Sequence, residues 1–108
     1  MADILTELFE VVADRKCNPQ EGSYTCYLFD KGLDKILKKV GEEASEVIIS
    51  AKNANNDDTV NEISDLLYHL VVLMAEQGIT PAQLNAVLEE RRQKIGNLKI
   101  FNKSDKNT

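Results

Sequence analysis

The fold of this chain is organised around the segment from Lys38 to Asp65, which reads KKVGEEASEVIISAKNANNDDTVNEISD. Two acidic pairs recur in it at a spacing of three residues, Glu43 with Glu46 and Glu62 with Asp65. At about 100° of rotation per residue, each pair borders the apolar arc of an amphipathic helix. The first arc comprises Ile36, Leu37, Val40, Ala44, Val47 and Ala51, and the second comprises Ile63, Leu66, Leu67, Leu70, Leu73 and Met74. If the two helices pack antiparallel, the two acidic borders meet.

Carboxylates that converge in a cleft repel one another. A like-charge pair at this helical spacing has Cβ atoms about 5–6 Å apart. The pair costs on the order of 3 kcal/mol at an effective dielectric near 20, and under about 1 kcal/mol in water. A hard divalent cation relieves this repulsion, and magnesium commonly shares such a site with substrate phosphates. We therefore predict that Glu43, Glu46, Glu62 and Asp65 bind Mg²⁺, the alternative being a solvated acidic face.

The acidic residues also form a motif, Glu42-Glu43-x-x-Glu46 followed by Glu62-x-x-Asp65. This motif resembles the split acidic motif of the all-α nucleoside triphosphate pyrophosphohydrolases, the MazG-like superfamily. The resemblance implies an all-α fold, a bundle of four to five helices that dimerisation completes.

A narrower resemblance rests on three segments, GSYT at residues 22–25, KVGEEA at 39–44 and DLLYHL at 65–70. Together they are similar to the phosphoribosyl-ATP pyrophosphohydrolase family of histidine biosynthesis, over about Leu5 to Arg91. The implied enzyme is a phosphoribosyl-ATP diphosphatase. Its reaction would be Mg²⁺-dependent hydrolysis of 1-(5-phosphoribosyl)-ATP to 1-(5-phosphoribosyl)-AMP and pyrophosphate, the second step of the pathway.

Glu42 and Glu43 are the predicted catalytic residues. Glu43 is also a predicted metal ligand, whereas Glu42 points about 100° away from it on the helix. Glu42 could therefore orient an attacking water or meet a second ion.

Five residues are predicted to bind substrate: Ser23, Tyr24, Thr25, Lys35 and Lys39. The two hydroxyl groups could donate hydrogen bonds to phosphate or ribose, Tyr24 could stack on a base, and the lysines could hold phosphate. The alternatives are that Tyr24 seals the edge of the core and that Lys39 pairs with Glu43 on the surface. His69 lies one turn after Asp65 and is predicted to support it by a hydrogen bond, the alternative being direct contact with substrate.

Capping signals and apolar spacing predict four helices. They are residues 4–16 after Asp3, 33–53 after Asp30 or Gly32, 58–77 after Asp57 or Asp58, and 81–95 after Thr80. Residues 17–32 lack helical periodicity and are predicted to form an ordered loop over the site. Ile49, Val60 and Val71 extend the apolar surface beyond the main arcs, which favours a homodimer.

The 108 residues carry 13 Lys and Arg against 18 Asp and Glu, a formal net charge of −5. No basic patch with interleaved aromatic residues appears, which argues against nucleic-acid binding. No signal-peptide pattern or apolar run of about 20 residues is present, so no membrane partner and a cytoplasmic location are predicted. We also expect one domain over residues 1–98 and a polar tail over residues 99–108. Cys17 and Cys26 are predicted to be free thiols.

Two alternative functions stay open at this point. The first is a housecleaning pyrophosphohydrolase of the same superfamily, which acts on canonical or damaged nucleoside triphosphates. The second is a non-catalytic helical module that binds divalent ions or a partner helix. Helical periodicity does not separate these alternatives from the histidine enzyme.

Overall fold

A computed structural model describes residues 3–95 of the chain. Within this range the fold is all-α, as predicted, and contains five helices and no strand. The helices are α1 (Ile4–Cys17), α2 (Tyr24–Lys31), α3 (Leu33–Lys52), α4 (Asn56–Gln77) and α5 (Pro81–Ile95). The predicted polar tail and the domain boundary at residue 98 lie outside the described residues. None of the helices in the described range has the length and apolar character needed to cross a membrane.

The first helix confirms its predicted N-cap. The Asp3 carboxylate accepts a hydrogen bond from the Thr6 amide at 2.8 Å. Arg15 and Lys16 lie in the last turn, where positive charge suits the negative end of the helix dipole. The side chain of Lys16 also forms an ion pair with Glu76 of α4 at 3.0 Å.

The second helix corrects the prediction of a loop over residues 17–32. Residues 24–31 are helical, because the Ser23 hydroxyl caps the helix by accepting a hydrogen bond from the Cys26 amide at 3.2 Å. Burial of Leu28, which is 0% exposed, then holds the short helix on the domain. Eight residues rich in aromatic and β-branched side chains have low intrinsic helix propensity, so tertiary packing overrides the local signal.

The long helices α3 and α4 form the central pair of the fold. Only residues 53–55 connect them, and so short a connection makes neighbouring helices antiparallel. Ala54 has a φ of 57°, the left-handed conformation that lets the chain reverse there. At the base of the pair, the Ser50 and Thr59 hydroxyl oxygens lie 3.1 Å apart across the two helices.

The N-cap of α4 is Asn55, not Asp57 or Asp58 as predicted. The Asn55 side-chain oxygen accepts a hydrogen bond from the Asp58 amide at 3.1 Å, and its amide group donates to the Asp58 carboxylate at 2.9 Å. This reciprocal pairing resembles a capping box, so the helix starts two residues earlier than the apolar pattern indicated.

The core of the domain lies where α1 and α2 cover one part of the central pair. Its five buried hydrophobic residues are Val12, Leu28, Ile36, Val71 and Val72. Ile36 and Met74 confirm part of the predicted arcs, whereas Leu37, Ile63 and Leu67 are between 43% and 49% exposed. Helices α1 and α2 therefore cover only part of the predicted arcs.

Helix α5 confirms its predicted start. The Thr80 hydroxyl accepts a hydrogen bond from the Gln83 amide at 3.3 Å, and the Gln83 side chain accepts one from the Thr80 amide at 2.8 Å. Pro81 follows at the first helical position, where its missing N–H has no helical partner to lose. The two side chains therefore accept hydrogen bonds from two backbone N–H groups at the helix start, those of Thr80 and Gln83.

Loss of the α4 cap provides a test of this fold. We expect Asn55→Ala to lower the free energy of unfolding by about 1 kcal/mol, because the helix start loses its side-chain acceptor. Urea unfolding followed by circular dichroism measures the change. Asn53→Ala is the matched control, since Asn53 ends α3 through its backbone amide. Equal losses in the two variants would contradict the assignment of Asn55 as the cap.

Candidate metal and phosphate site

Three carboxylates from the central pair converge on one face. Ligand oxygens of Glu43 on α3 and of Glu62 and Asp65 on α4 all lie within 4.8 Å of one another. Glu43 and Glu62 are half-buried and Asp65 is exposed. We call these three residues the acid cluster. Oxygen atoms at such spacing match the ligands that magnesium and calcium prefer, so the cluster could hold a divalent cation.

Glu46 adjoins the acid cluster through Glu62. The two carboxyl groups share a hydrogen bond, which raises the pKa of Glu62 from its ordinary value of 4.5 to about 7. Burial adds to the rise, as do the negative charges of Glu46, Glu43 and Asp65. The four acids predicted from spacing therefore lie side by side, with Glu46 joined to the acid cluster by its hydrogen bond to Glu62.

Lys39 brings positive charge to the edge of the cluster. Its ammonium nitrogen lies 3.3 Å from Glu42 and 3.7 Å from Glu43. Burial opposes the charged form, but the hydrogen bond to Glu42 and the charges of Tyr24, Glu42 and Glu43 outweigh it and raise the pKa of Lys39. Lys35 lies one turn earlier on the same face of α3. An anion bound at the cluster would meet at least one ammonium group.

Glu42 lies outside the acid cluster, as its helical position predicts. Its carboxylate is exposed and faces Lys39. The carboxylate is thus near the site without facing the three converging oxygens.

The predicted hydroxyl donors of α2 are engaged within the fold. Ser23 serves as the N-cap of its helix. The Thr25 hydroxyl forms a hydrogen bond with the Tyr68 hydroxyl of α4. These contacts position the start of α2 against α4, and a role for either hydroxyl in substrate binding stays a prediction.

Tyr24 is the first residue of α2 and lies near Lys39 and Glu43. Its hydroxyl is 3.0 Å from His69 Nε2, and its ring stacks against Tyr27 and Tyr68 at centroid distances of 6.0 and 6.1 Å. Burial of the hydroxyl raises the pKa of Tyr24, although the charge of Lys39 opposes that rise. The residue as a whole is still 45% exposed, so part of it is accessible to a ligand.

His69 contacts Asp65 through the backbone rather than through the carboxylate. Its Nδ1 lies 2.7 Å from the Asp65 carbonyl oxygen. The Asp65 carboxylate is left free to face the cluster, so the predicted support of this metal ligand by His69 stays a prediction. The other ring nitrogen faces Tyr24, a contact that spacing along one helix does not reveal.

Sequence reasoning missed two features of the site. The first feature is Tyr68, which packs against Tyr24, Thr25 and His69; its spacing of three from Asp65 was the available signal. The second feature is a groove of about 530 Å³ beside Tyr24. It is lined by Gln20, Gly22, Ser23, Tyr24, Cys26, Tyr27 and Asp30. The groove exists because residues 24–31 form a helix, which the sequence did not predict.

Comparison with known proteins identifies relatives over most of the chain. The sequence model of the family described as Phosphoribosyl-ATP pyrophosphohydrolase matches residues 5–92, which include the whole acid cluster. The chain is 54% identical over 97 residues to the phosphoribosyl-ATP pyrophosphatase of Clostridium novyi, covering 90% of this chain and 88% of that protein. It is 57% identical over 95 residues to the phosphoribosyl-ATP pyrophosphatase of Streptococcus thermophilus, covering 88% and 91%. A longer relative is the histidine biosynthesis bifunctional protein HisIE of Thermoanaerobacter pseudethanolicus, 62% identical over 89 residues, 82% of this chain and 40% of that protein.

The raised pKa of Glu62 predicts a pH-dependent stability in the absence of divalent ions. Between about pH 4.5 and 7 the folded state keeps a proton that the unfolded state has released, so the free energy of unfolding falls as pH rises. Glu62→Gln removes this charge and can still donate a hydrogen bond to Glu46. We expect the variant to be more stable than the wild type at about pH 8 in a chelator, with a smaller difference at about pH 5.

Urea unfolding at the two pH values measures the effect, and Glu42→Gln is the matched control. That substitution removes a carboxylate that pairs with Lys39, so it should bring no gain in stability at either pH. A gain from Glu42→Gln as large as that from Glu62→Gln would show that general charge reduction, not relief within the acid cluster, is responsible.

Proposed function

Because the chain belongs to the phosphoribosyl-ATP pyrophosphohydrolase family, we propose that it hydrolyses 1-(5-phosphoribosyl)-ATP to 1-(5-phosphoribosyl)-AMP and pyrophosphate in histidine biosynthesis. The observation that carries this proposal is the acid cluster on α3 and α4 with Lys39 at its edge. Carboxylates beside an ammonium group suit a substrate whose phosphates share a bound cation.

The cofactor we propose is Mg²⁺. Three carboxylates with oxygens within 4.8 Å of one another fit a hard cation, and Glu46, which is hydrogen-bonded to Glu62, would join them. When bound, the ion would lower the pKa of a coordinated water and neutralise charge on the departing pyrophosphate. Glu43, Glu46, Glu62 and Asp65 are therefore the proposed metal ligands.

Lys39 and Lys35 are the proposed phosphate contacts. The chain carries a net charge of −5, so an anionic substrate needs local positive charge to approach the acids. Lys39 already lies beside Glu42 and Glu43, and a phosphate could replace these carboxylates as its partner. Lys35 would extend the positive stripe by one turn.

Glu42 is the proposed base for the attacking water. Its carboxylate lies outside the three converging oxygens yet shares Lys39 with Glu43. A carboxylate that does not bind the ion can accept a proton, whereas the positive charge of the ion lowers the basicity of a carboxylate that binds it. Glu43 would act mainly by binding the ion next to this water.

The proposed reaction is tested by measuring pyrophosphate release from phosphoribosyl-ATP with Mg²⁺. We expect Glu43→Gln to be slower than the wild type by at least about two orders of magnitude, because the cluster loses one of its converging charges. Glu10→Gln is the matched control, an exposed glutamate of α1, and should keep the wild-type rate. Melting curves show whether each variant is folded.

The wild-type result separates the alternatives. An enzyme inactive on phosphoribosyl-ATP but active on dCTP, dUTP or another nucleoside triphosphate would be a housecleaning pyrophosphohydrolase. A chain that hydrolyses none of these, and whose melting temperature is unchanged by nucleotide with Mg²⁺, would be a non-catalytic module.

We also propose that the chain acts as a homodimer. Ile48, Ile49 and Val60 are between 58% and 69% exposed on the central pair, and Leu37, Ile63 and Leu67 are partly exposed on the same two helices. Apolar surface of this extent on neighbouring helices commonly covers a partner. Val71, predicted to add to this surface, is instead 1% exposed in the core. A cytoplasmic location and the absence of a nucleic-acid partner stay predictions from the sequence.

A charge placed on this surface tests the dimer. We expect Ile49→Glu to convert a dimer into a species with the 12.1 kDa mass of one chain, because the charge would be desolvated in the interface. Light scattering after size-exclusion chromatography measures the mass. Val11→Glu, at a half-exposed position on α1, is the control and should keep the wild-type mass. A monomeric wild type would contradict the proposal.

A further inference from the structure

A chain of two hydrogen bonds links α2 to the backbone of α4. The Tyr24 hydroxyl lies 3.0 Å from His69 Nε2, and His69 Nδ1 lies 2.7 Å from the Asp65 carbonyl oxygen. His69 is the one histidine of the sequence and is 5% exposed. Both ring nitrogens are thus engaged, one with α2 and one with its own helix.

The direction of both hydrogen bonds follows from the chemistry of the partners. A backbone carbonyl oxygen only accepts, so His69 Nδ1 carries the proton and donates it to Asp65. In a neutral imidazole the other nitrogen then has a free lone pair, and Nε2 accepts the proton of the Tyr24 hydroxyl. The Tyr24 hydroxyl has one proton to donate in a hydrogen bond, and His69 Nε2 accepts that hydrogen bond.

The geometry around His69 fixes this arrangement. Its ring meets those of Tyr24 and Tyr68 edge to face, at centroid distances of 5.7 and 5.0 Å. Such aromatic packing leaves the imidazole little freedom to rotate. The Tyr24 oxygen keeps two lone pairs, on a residue that is 45% exposed and lies close enough for the charges of Lys39 and Glu43 to act on its hydroxyl.

We propose that His69 is a positioning residue that acts through Tyr24 and makes its hydroxyl oxygen a hydrogen-bond acceptor for the substrate. Phosphate oxygens also only accept, so Tyr24 would not bind them in this state. Its partner is a donor on the nucleoside part of the substrate, a ribose hydroxyl or a base amino group. The identity of the substrate rests on the proposed function, whereas the direction of the hydrogen bond does not.

Two amide variants of His69 separate the two ring nitrogens. In His69→Gln the side-chain amide reaches the place of Nε2, so its oxygen can still accept from Tyr24. In His69→Asn the amide reaches the place of Nδ1 and keeps only the donor to Asp65. We expect His69→Asn and Tyr24→Phe each to raise KM for phosphoribosyl-ATP by about five- to tenfold, the worth of one hydrogen bond.

The rest of the kinetic pattern distinguishes positioning from general damage. The kcat of His69→Asn and of Tyr24→Phe should stay within about twofold of the wild type. His69→Gln should have the wild-type KM. The double variant His69→Asn with Tyr24→Phe should have the same KM as Tyr24→Phe alone. Melting curves show that each variant is folded. If His69→Asn keeps the wild-type KM while His69→Gln loses activity and needs more Mg²⁺, His69 acts through Asp65 and the proposal is wrong.

An inhibitor made only of phosphate tests which part of the substrate Tyr24 contacts. Inorganic tripolyphosphate should inhibit the wild type, Tyr24→Phe and His69→Asn with equal inhibition constants, because Tyr24 does not bind phosphate. ATP as inhibitor should bind both variants about five- to tenfold more weakly than the wild type. Equal weakening of both inhibitors would mean that Tyr24 donates to phosphate, contrary to the proposal.

The hydrogen-bond direction can be tested without any substrate. Long-range ¹H–¹⁵N spectra of the single histidine, recorded at about pH 8 where an ordinary imidazole is neutral, distinguish the two tautomers. We expect the proton on Nδ1, and a change in the Nε2 chemical shift in Tyr24→Phe. A proton on Nε2 would overturn the inference. If the wild type does not hydrolyse phosphoribosyl-ATP, the proposed function fails, whereas this spectrum still decides the direction of the hydrogen bond.

Discussion

Electrostatic repulsion among carboxylates on α3 and α4 is the constraint on which the rest of the structure depends. Glu43, Glu62 and Asp65 converge within 4.8 Å, and the hydrogen bond to Glu46 together with the neighbouring negative charges raises the pKa of Glu62 to about 7. Such an arrangement disfavours the close approach of the two helices. The fold therefore has to hold α3 and α4 together by other contacts, and it does so at both ends of the pair. Functional sites commonly cost a protein stability, which contacts elsewhere in the fold supply.

The two ends contribute different contacts. At one end the short connection at residues 53–55, the Asn55 cap and the Ser50–Thr59 contact set the register of the helices. Towards the other end α1 and α2 pack onto the pair around Ile36 and Val72, and this packing forms the core. The register set by the connection decides which acidic residues face one another, and the core keeps that register under repulsion.

Helix α2 joins the core to the site. Leu28 is fully buried beneath it, while Tyr24 at its start lies beside Lys39 and bonds to His69. One helix of eight residues carries both the core residue Leu28 and the site residue Tyr24. A change in the packing of Leu28 would therefore move Tyr24 relative to the acid cluster. The aromatic contacts among Tyr24, Tyr68 and His69 make this connection stiff.

The long helices and the acidic stripe could be predicted from the sequence, because both depend on the 3.6-residue period within one helix. The convergence of Glu43, Glu62 and Asp65 needed only the further assumption of an antiparallel pair. Tertiary structure alone decided that residues 24–31 are helical, that parts of the apolar arcs remain exposed, and that His69 bonds to Tyr24. Each of these depends on contacts between residues far apart in the chain, such as Tyr24 and His69. No local pattern of spacing or propensity encodes which distant surfaces meet.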